Sequence, residues 1–272
     1  MDHARELMEL ARSLAFGARE IILEGRASAH VAGTKSSDID IVTQMDIAAE
    51  TYIRAELAVR RPLDAIMGEE GSDTQGTSGL TWVIDPIDGT VNYLYGIPFF
   101  GVSVAVVEDG QDPASWRIVA GAVADGLGTM WSAAAGLGAF RNDEVLVRHS
   151  GPALSHTLLA TGFQYTVDRR LAQGRIVAAL LGQVRDIRRL GAASIDLCHV
   201  AAGLVDAYYE HGLNPWDFAA GALIAREAGV KVAGLDGAAA TPGLLIAAMP
   251  EAWQSLHDAI VAAGGRAPFE RV

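Results

Sequence analysis

One phrase constrains this chain more than any other: Trp82-Val83-Ile84-Asp85-Pro86-Ile87-Asp88-Gly89-Thr90-Val91-Asn92-Tyr93. Its apolar start reads as a buried strand, which needs sheet neighbours and cover, yet it ends abruptly in two carboxylates three residues apart. Pro86 fixes φ and removes a backbone donor between them, and Gly89 permits a sharp turn. That geometry can aim Asp85, Asp88 and the Ile87 carbonyl at one point. All three offer hard oxygen ligands, which suit Mg²⁺ better than zinc. Gly89 and Thr90 then open a helix whose free N–H groups would hold a phosphate beside the metal.

With 272 residues the chain is long enough for one large domain or two packed halves, and half of its residues are hydrophobic. A formal net charge of −12 argues against nucleic acid or an anionic membrane as a bulk partner. The same charge would repel an anionic substrate, and bound divalent metal would offset that locally. The single cysteine, Cys198, excludes an internal disulfide and a Cys-rich metal site; it sits in an apolar run and is expected to pack. Met1-Asp2-His3-Ala4-Arg5-Glu6 lacks the basic start and apolar core of a signal peptide, and no stretch approaches a membrane span. A cytoplasmic location is expected.

Apolar residues at helical spacing (Leu7, Leu10, Leu14, Ala18, Ile21, Ile22) predict an amphipathic helix over about residues 4–25. A polar loop is expected over 33–38, and a second helix over 46–60, stopped by Arg61-Pro62. Strands are expected at 66–68 and 80–84, each delivering carboxylates at its end. Segments 100–107, 118–123, 129–131 and 136–141 suggest an antiparallel sheet, with a turn at 108–113. Beyond residue 151 the pattern alternates: strands near 157–161, 188–190, 206–210 and 243–248, helices near 168–181, 193–202, 216–227 and 251–263. Periodicity supports an α/β or α+β chain with two sheets.

Two further motifs accompany the opening phrase, Gly68-Glu69-Glu70 before it and Asn214-Pro215-Trp216-Asp217-Phe218-Ala219-Ala220-Gly221 after it. In this order and spacing the three resemble the inositol monophosphatase family, and the likeness to its bacterial members runs from Lys35 to about Gly229. The resemblance implies a layered α-β-α-β-α fold, with an N-terminal half over 1–150 and a C-terminal half over 151–272. It implies that Glu69, Asp85 and the Ile87 carbonyl hold one Mg²⁺, and Asp85, Asp88 and Asp217 a second. Four carboxylates converging without cations would raise one another's pKa values, so two Mg²⁺ become a requirement of the site. Phosphomonoester hydrolysis needs acceleration of up to ~10²¹-fold, and a two-metal centre suits it.

By the same resemblance Glu69 and the Thr90 hydroxyl hold the attacking water, and the Gly89 and Thr90 N–H groups grip the phosphate. Lys35 and Asp46, with Asp40 and Thr43, match a loop that closes over the metals and helps a third, weaker Mg²⁺ site. Glu210 and the Ala193 N–H match contacts to substrate hydroxyls. Two departures stand out: Asp38 where relatives often carry proline, and Ala192 where they carry Ser or Thr. The expected reaction is Mg²⁺-dependent, Li⁺-sensitive hydrolysis of myo-inositol monophosphate by a homodimer. Alternatives are histidinol phosphate or another small phosphomonoester as substrate and, in a different class, a role in transcription antitermination through protein contacts. His199 and His211 are read as structural, since Mg²⁺ prefers oxygen.

Overall fold

The computed structural model describes residues 2–35, 41–108 and 112–266. Asp38 and Asp40, and part of the turn expected at 108–113, lie outside the described residues. Helix α1 (Asp2–Gly25) buries Leu7, Ala11, Leu14, Ala18 and Ile22 along one stripe, as its periodicity requires. Next comes a hairpin of β1 (Val31–Thr34) and β2 (Ile41–Thr43), so the start of the expected polar loop is strand: Gly33 pairs with Val42 and Thr34 with Ile41. Helix α2 (Gln44–Arg60) begins on a capping box made by Thr43 and Asp46 and stops before Pro62.

The larger sheet has seven strands, β3 (Ala65–Gly68), β4 (Leu80–Asp88), β5 (Gly101–Glu108), β6 (Arg117–Asp125), β7 (Met130–Ala134), β8 (Gly138–Arg141) and β9 (Glu144–Leu146), neighbours in chain order. The short helix α3 (Thr90–Leu94) follows β4. Only the β3–β4 pair is parallel. The smaller sheet contains β10 (Leu158–Thr161), β11 (Asp186–Arg188), β12 (Ala207–Glu210), β13 (Lys231–Ala233) and β14 (Leu245–Ala248), in the order β11-β10-β12-β14-β13. Helices α4 (Val167–Leu180), α5 (Ala193–Ala202), α6 (Pro215–Glu227) and α7 (Pro250–Ile260) complete the chain.

Side-chain alternation sorts these elements into layers. Val102, Val104 and Val106 of β5 pack with α1 and α2, whereas Ala105 and Val107 pack with α5 and α6. In the smaller sheet Tyr208 and Ala247 face α5 and α6, while Tyr209, Ile246 and Ala248 face α4 and α7. The order is therefore α1/α2, large sheet, α5/α6, small sheet, α4/α7: the five-layer α-β-α-β-α arrangement. Cys198 is fully buried in the middle layer, where it packs as expected.

Besides the β1–β2 hairpin and β9, which had no expected counterpart, two strands of the smaller sheet differ from the sequence reading. The strand expected at 188–190 is β11 at Asp186–Arg188, because Ile187 registers with Leu159 of β10. Strand β13 had no sequence signal, being three residues long and following directly on Gly229 and Val230.

Candidate active site

The Asp85–Gly89 turn is made by a break in register. Strand β4 does not stop at Ile84; it pairs with β5 to its end, with Asp85 opposite Ser103 and Asp88 opposite Gly101. Three steps on β4 thus span two on β5, leaving one extra residue as a bulge around Pro86 and Ile87. In an uninterrupted strand Asp85 and Asp88 would point to opposite faces; the extra residue returns them to the same one. Pro86 is tolerated because a bulge needs no ladder N–H there. The Ile87 N–H donates to Asp85 Oδ1 at 3.0 Å, fixing that carboxylate's direction. Gly89 then turns at φ 90°, a left-handed conformation that favours glycine.

The other acids arrive from adjacent elements. The Glu69 N–H donates to the Ile84 carbonyl at 3.2 Å, which sets Glu69 beside Asp85. Asp217 lies in the first turn of α6, where the Asn214 N–H donates to its Oδ2 at 2.6 Å. The Ser103 hydroxyl donates to the Trp216 carbonyl at 3.3 Å, tying that helix start to the strand opposite Asp85. Asp88 accepts from the Ser194 N–H at 2.7 Å and the Ser194 hydroxyl at 2.5 Å, so the start of α5 reaches the Asp85–Gly89 turn.

Glu69, Asp85, Ile87, Asp88, Gly89, Thr90, Lys35, Ala193, Glu210 and Asp217 all line one cleft of about 380 Å³. Asp46 stands just behind it: the Thr90 hydroxyl lies 3.2 Å from Asp46 Oδ1 and 3.0 Å from the Ile87 carbonyl. Asp46 Oδ2 accepts from the Thr43 hydroxyl at 2.5 Å and the Thr43 N–H at 2.8 Å. Lys35 Nζ lies 2.8 Å from Glu69 and 2.5 Å from Glu70. Every site residue predicted from the sequence within the described residues is thus gathered in one region.

Burial and mutual repulsion set the electrostatics of the cleft. Burial, then the charges of Glu69, Asp88 and Asp217, push Asp85 well above the usual carboxylate range. Asp217 is driven the same way by burial and by Glu69 and Asp88. Burial lifts Asp88 to about 6 against the hydrogen bonds from Ser194, and lifts Glu69 despite the nearby Lys35 charge. Burial also opposes the charge on Lys35, but Glu69 and Glu70 win and hold it protonated.

Among the described residues no three carboxyl, imidazole or thiol side chains already form a closed ligand set. The donor chemistry nevertheless fits hard divalent cations: carboxylates and a carbonyl that destabilise one another until positive charge arrives. Neither histidine competes. His211 Nε2 lies 3.0 Å from the Gly265 carbonyl, and His199 stacks edge-on with Phe99 and Trp131.

Several residues of the site carried no assignment from the sequence. Ser194 holds Asp88, although Ala193 was the member of its motif singled out. Asn92 donates to the carbonyls of Phe99 at 2.7 Å and Leu190 at 2.8 Å, joining the helix after the Asp85–Gly89 turn to the Gly191–Ser194 segment. Asp196 is buried in the cleft wall; a lone acid inside the apolar run of α5 was the available signal. Arg169 and Arg189 also line the cleft, and nothing in their spacing marks them.

The profile of the inositol monophosphatase family matches residues 3–265. An inositol-1-monophosphatase of Mycobacterium leprae is 47% identical over 257 residues, covering 90% of this chain and 86% of that protein. A protein named Nus factor SuhB from Pseudomonas aeruginosa is 38% identical over 239 residues, 85% of this chain and 86% of its own length. Among solved structures, Mycobacterium tuberculosis SuhB superposes with a TM-score of 0.81 at 42% identity, covering 96% of this chain and 98% of that one.

Proposed function

The chain belongs to the inositol monophosphatase family and is a phosphatase, and on that premise we propose that it hydrolyses myo-inositol monophosphates in a Mg²⁺-dependent, Li⁺-sensitive reaction. The observation that carries this reading is the set of mutually destabilising carboxylates around one cleft. Glu69, Asp85 and the Ile87 carbonyl would hold one Mg²⁺, and Asp85, Asp88 and Asp217 the other; Lys35 and Asp46 would help a third. When bound, these ions supply charge stabilisation and lower the pKa of the attacking water.

The chain's own residues do the rest. Thr90, donating toward Asp46, keeps its lone pairs free to accept from the attacking water, and Glu69 takes the proton. Gly89 and Thr90 N–H groups orient the phosphate. Ser194 and Asn214 hold Asp88 and Asp217 in direction. Glu210 and the Ala193 N–H receive the hydroxyls of the alcohol. Ala192 offers no hydroxyl of its own, so this segment recognises substrate through backbone.

A second reading keeps the chemistry and changes the alcohol. Glu210 and Asp196 both line the cleft, and two carboxyls there favour an ammonium-bearing alcohol such as histidinol. A homodimer located in the cytoplasm is the expected form. The resemblance to proteins named Nus factor SuhB supports a further role through protein contacts, which a pull-down recovering no transcription factor would count against.

The test is phosphate release from inositol 1-phosphate and histidinol phosphate side by side, with Mg²⁺, with EDTA and with Li⁺. Fast Mg²⁺-dependent, Li⁺-inhibited turnover of the inositol ester is expected. Release that survives EDTA would sink the two-metal reading.

A further inference from the structure

The cleft is lined by two guanidiniums that the reaction above does not use. Arg169 stands in the first turn of α4 and lines the cleft, and its Nη2 is buried with no hydrogen-bond partner among the described residues. A charged donor left without water or acceptor is costly, and a bound acceptor removes that cost. Arg189 lines the same cleft. Its Nη1 lies 2.5 Å from where a Cβ on Gly191 would stand, so the guanidinium lies against the backbone that opens the Gly191–Ser194 segment. The Arg189 charge also reaches both Asp196 and Glu210.

We propose that Arg169 and Arg189 make the cleft select a neutral, polyhydroxylated leaving alcohol over one carrying an ammonium group. This rests on the phosphatase reading and decides between its two substrates. Five N–H donors on each guanidinium can meet hydroxyl oxygens, while Glu210 in the same cleft accepts from hydroxyl protons. Polyols present donors and acceptors on every carbon and suit such a ring of partners. An ammonium group entering the same space meets two fixed positive charges.

The acids present do not reverse that balance. Burial pushes Glu210 up to about 7 against donation from Tyr208, and burial with the Glu210 and Asp88 charges pushes Asp196 well above the carboxylate range. At neutral pH the pair therefore carries less than two negative charges against the two guanidiniums.

The measurement is kcat/KM for inositol 1-phosphate and for histidinol phosphate with Mg²⁺, on the wild type, R169A, R189A and the two lysine variants. The wild type is expected to prefer the inositol ester about tenfold or more, and each alanine variant to shrink that preference severalfold, mainly through KM for the polyol. R169K and R189K, which keep the charge but not the planar fork, should recover discrimination against histidinol phosphate and only part of the polyol affinity. A ratio unmoved in both alanine variants, or a wild type that prefers histidinol phosphate, overturns the inference. p-Nitrophenyl phosphate, with no hydroxyls and no amine, separates the two failures. If the wild type releases phosphate from none of the three esters with Mg²⁺, the phosphatase reading itself falls; turnover with an unmoved ratio removes only the arginine assignment.

Discussion

Asp85 shows how a residue chosen for chemistry weakens the fold that carries it. It is almost fully buried and faces three other acids, so its charge is held against burial and repulsion at once. Asp85→Asn keeps the oxygen that the Ile87 N–H donates to and removes the charge. Metal-dependent turnover should fall by more than about 100-fold, since even partners of a metal ligand are worth 10–100-fold. The ion-free protein should melt higher, by about 2–4 °C for each kcal/mol recovered, read by a thermal scan in EDTA. An unchanged or lower melting temperature would mean that the cluster is not strained. The same logic gives a pH dependence. Glu210 titrates near 7 in the fold and at 4.5 in the reference state, so between those values the folded chain binds more protons than the unfolded one. Its contribution to stability therefore falls as pH rises from 4.5 to about 7, then levels off. Glu210→Gln should flatten that part of the ion-free stability–pH curve.

At the scale of elements, the site depends on segments held against one another more than on any one motif. Asn92 is buried, and it joins the turn after β4 to the segment before α5 through the Phe99 and Leu190 carbonyls. Asn92→Ala leaves both carbonyls without that donor and frees the Gly191–Ser194 segment, which carries the Ala193 N–H and the Ser194 grip on Asp88. We expect kcat/KM for the inositol ester to drop about tenfold, the cost of one to two buried hydrogen bonds. Hydrogen exchange should quicken at the amides of residues 191–194. A variant with wild-type kinetics would show that the segment is held by packing alone. Close approach matters as well: a Cβ on Gly121 would stand 3.0 Å from Ala220 Cα, so β6 and the helix carrying Asp217 touch backbone to backbone. Gly121→Val should push α6 outward and weaken Mg²⁺ affinity along with stability, measured by calorimetric titration and by melting.

Over the whole molecule, α5 and α6 are shared property: the large sheet packs on one side of them and the small sheet on the other. We propose that the halves 1–150 and 151–272 unfold together, in a single calorimetric transition. Residues 1–150 alone should be insoluble, because Val83, Ala105, Val107 and Trp131 would lose their cover. Two separate transitions would overturn this. Much of this architecture was legible along the chain. Helical periodicity located α1 and α2, apolar runs located β4 to β6, and three short motifs named the acids, because those signals are local and repeat with the period of the element. What stayed hidden was whatever depends on a partner distant in sequence. The register of β11 is set by Leu159, the slipped pairing with β5 turns Asp85 and Asp88 to one side, and Ser194 meets Asp88 only once two sheets have closed on the middle layer. The sequence by itself determined which chemical groups the protein has and which stretches are helix or strand. Tertiary structure alone decided which of those groups share a cleft, and Arg169, Arg189 and Asp196 joined it because burial and register are properties of the assembled layers, not of any window along the chain.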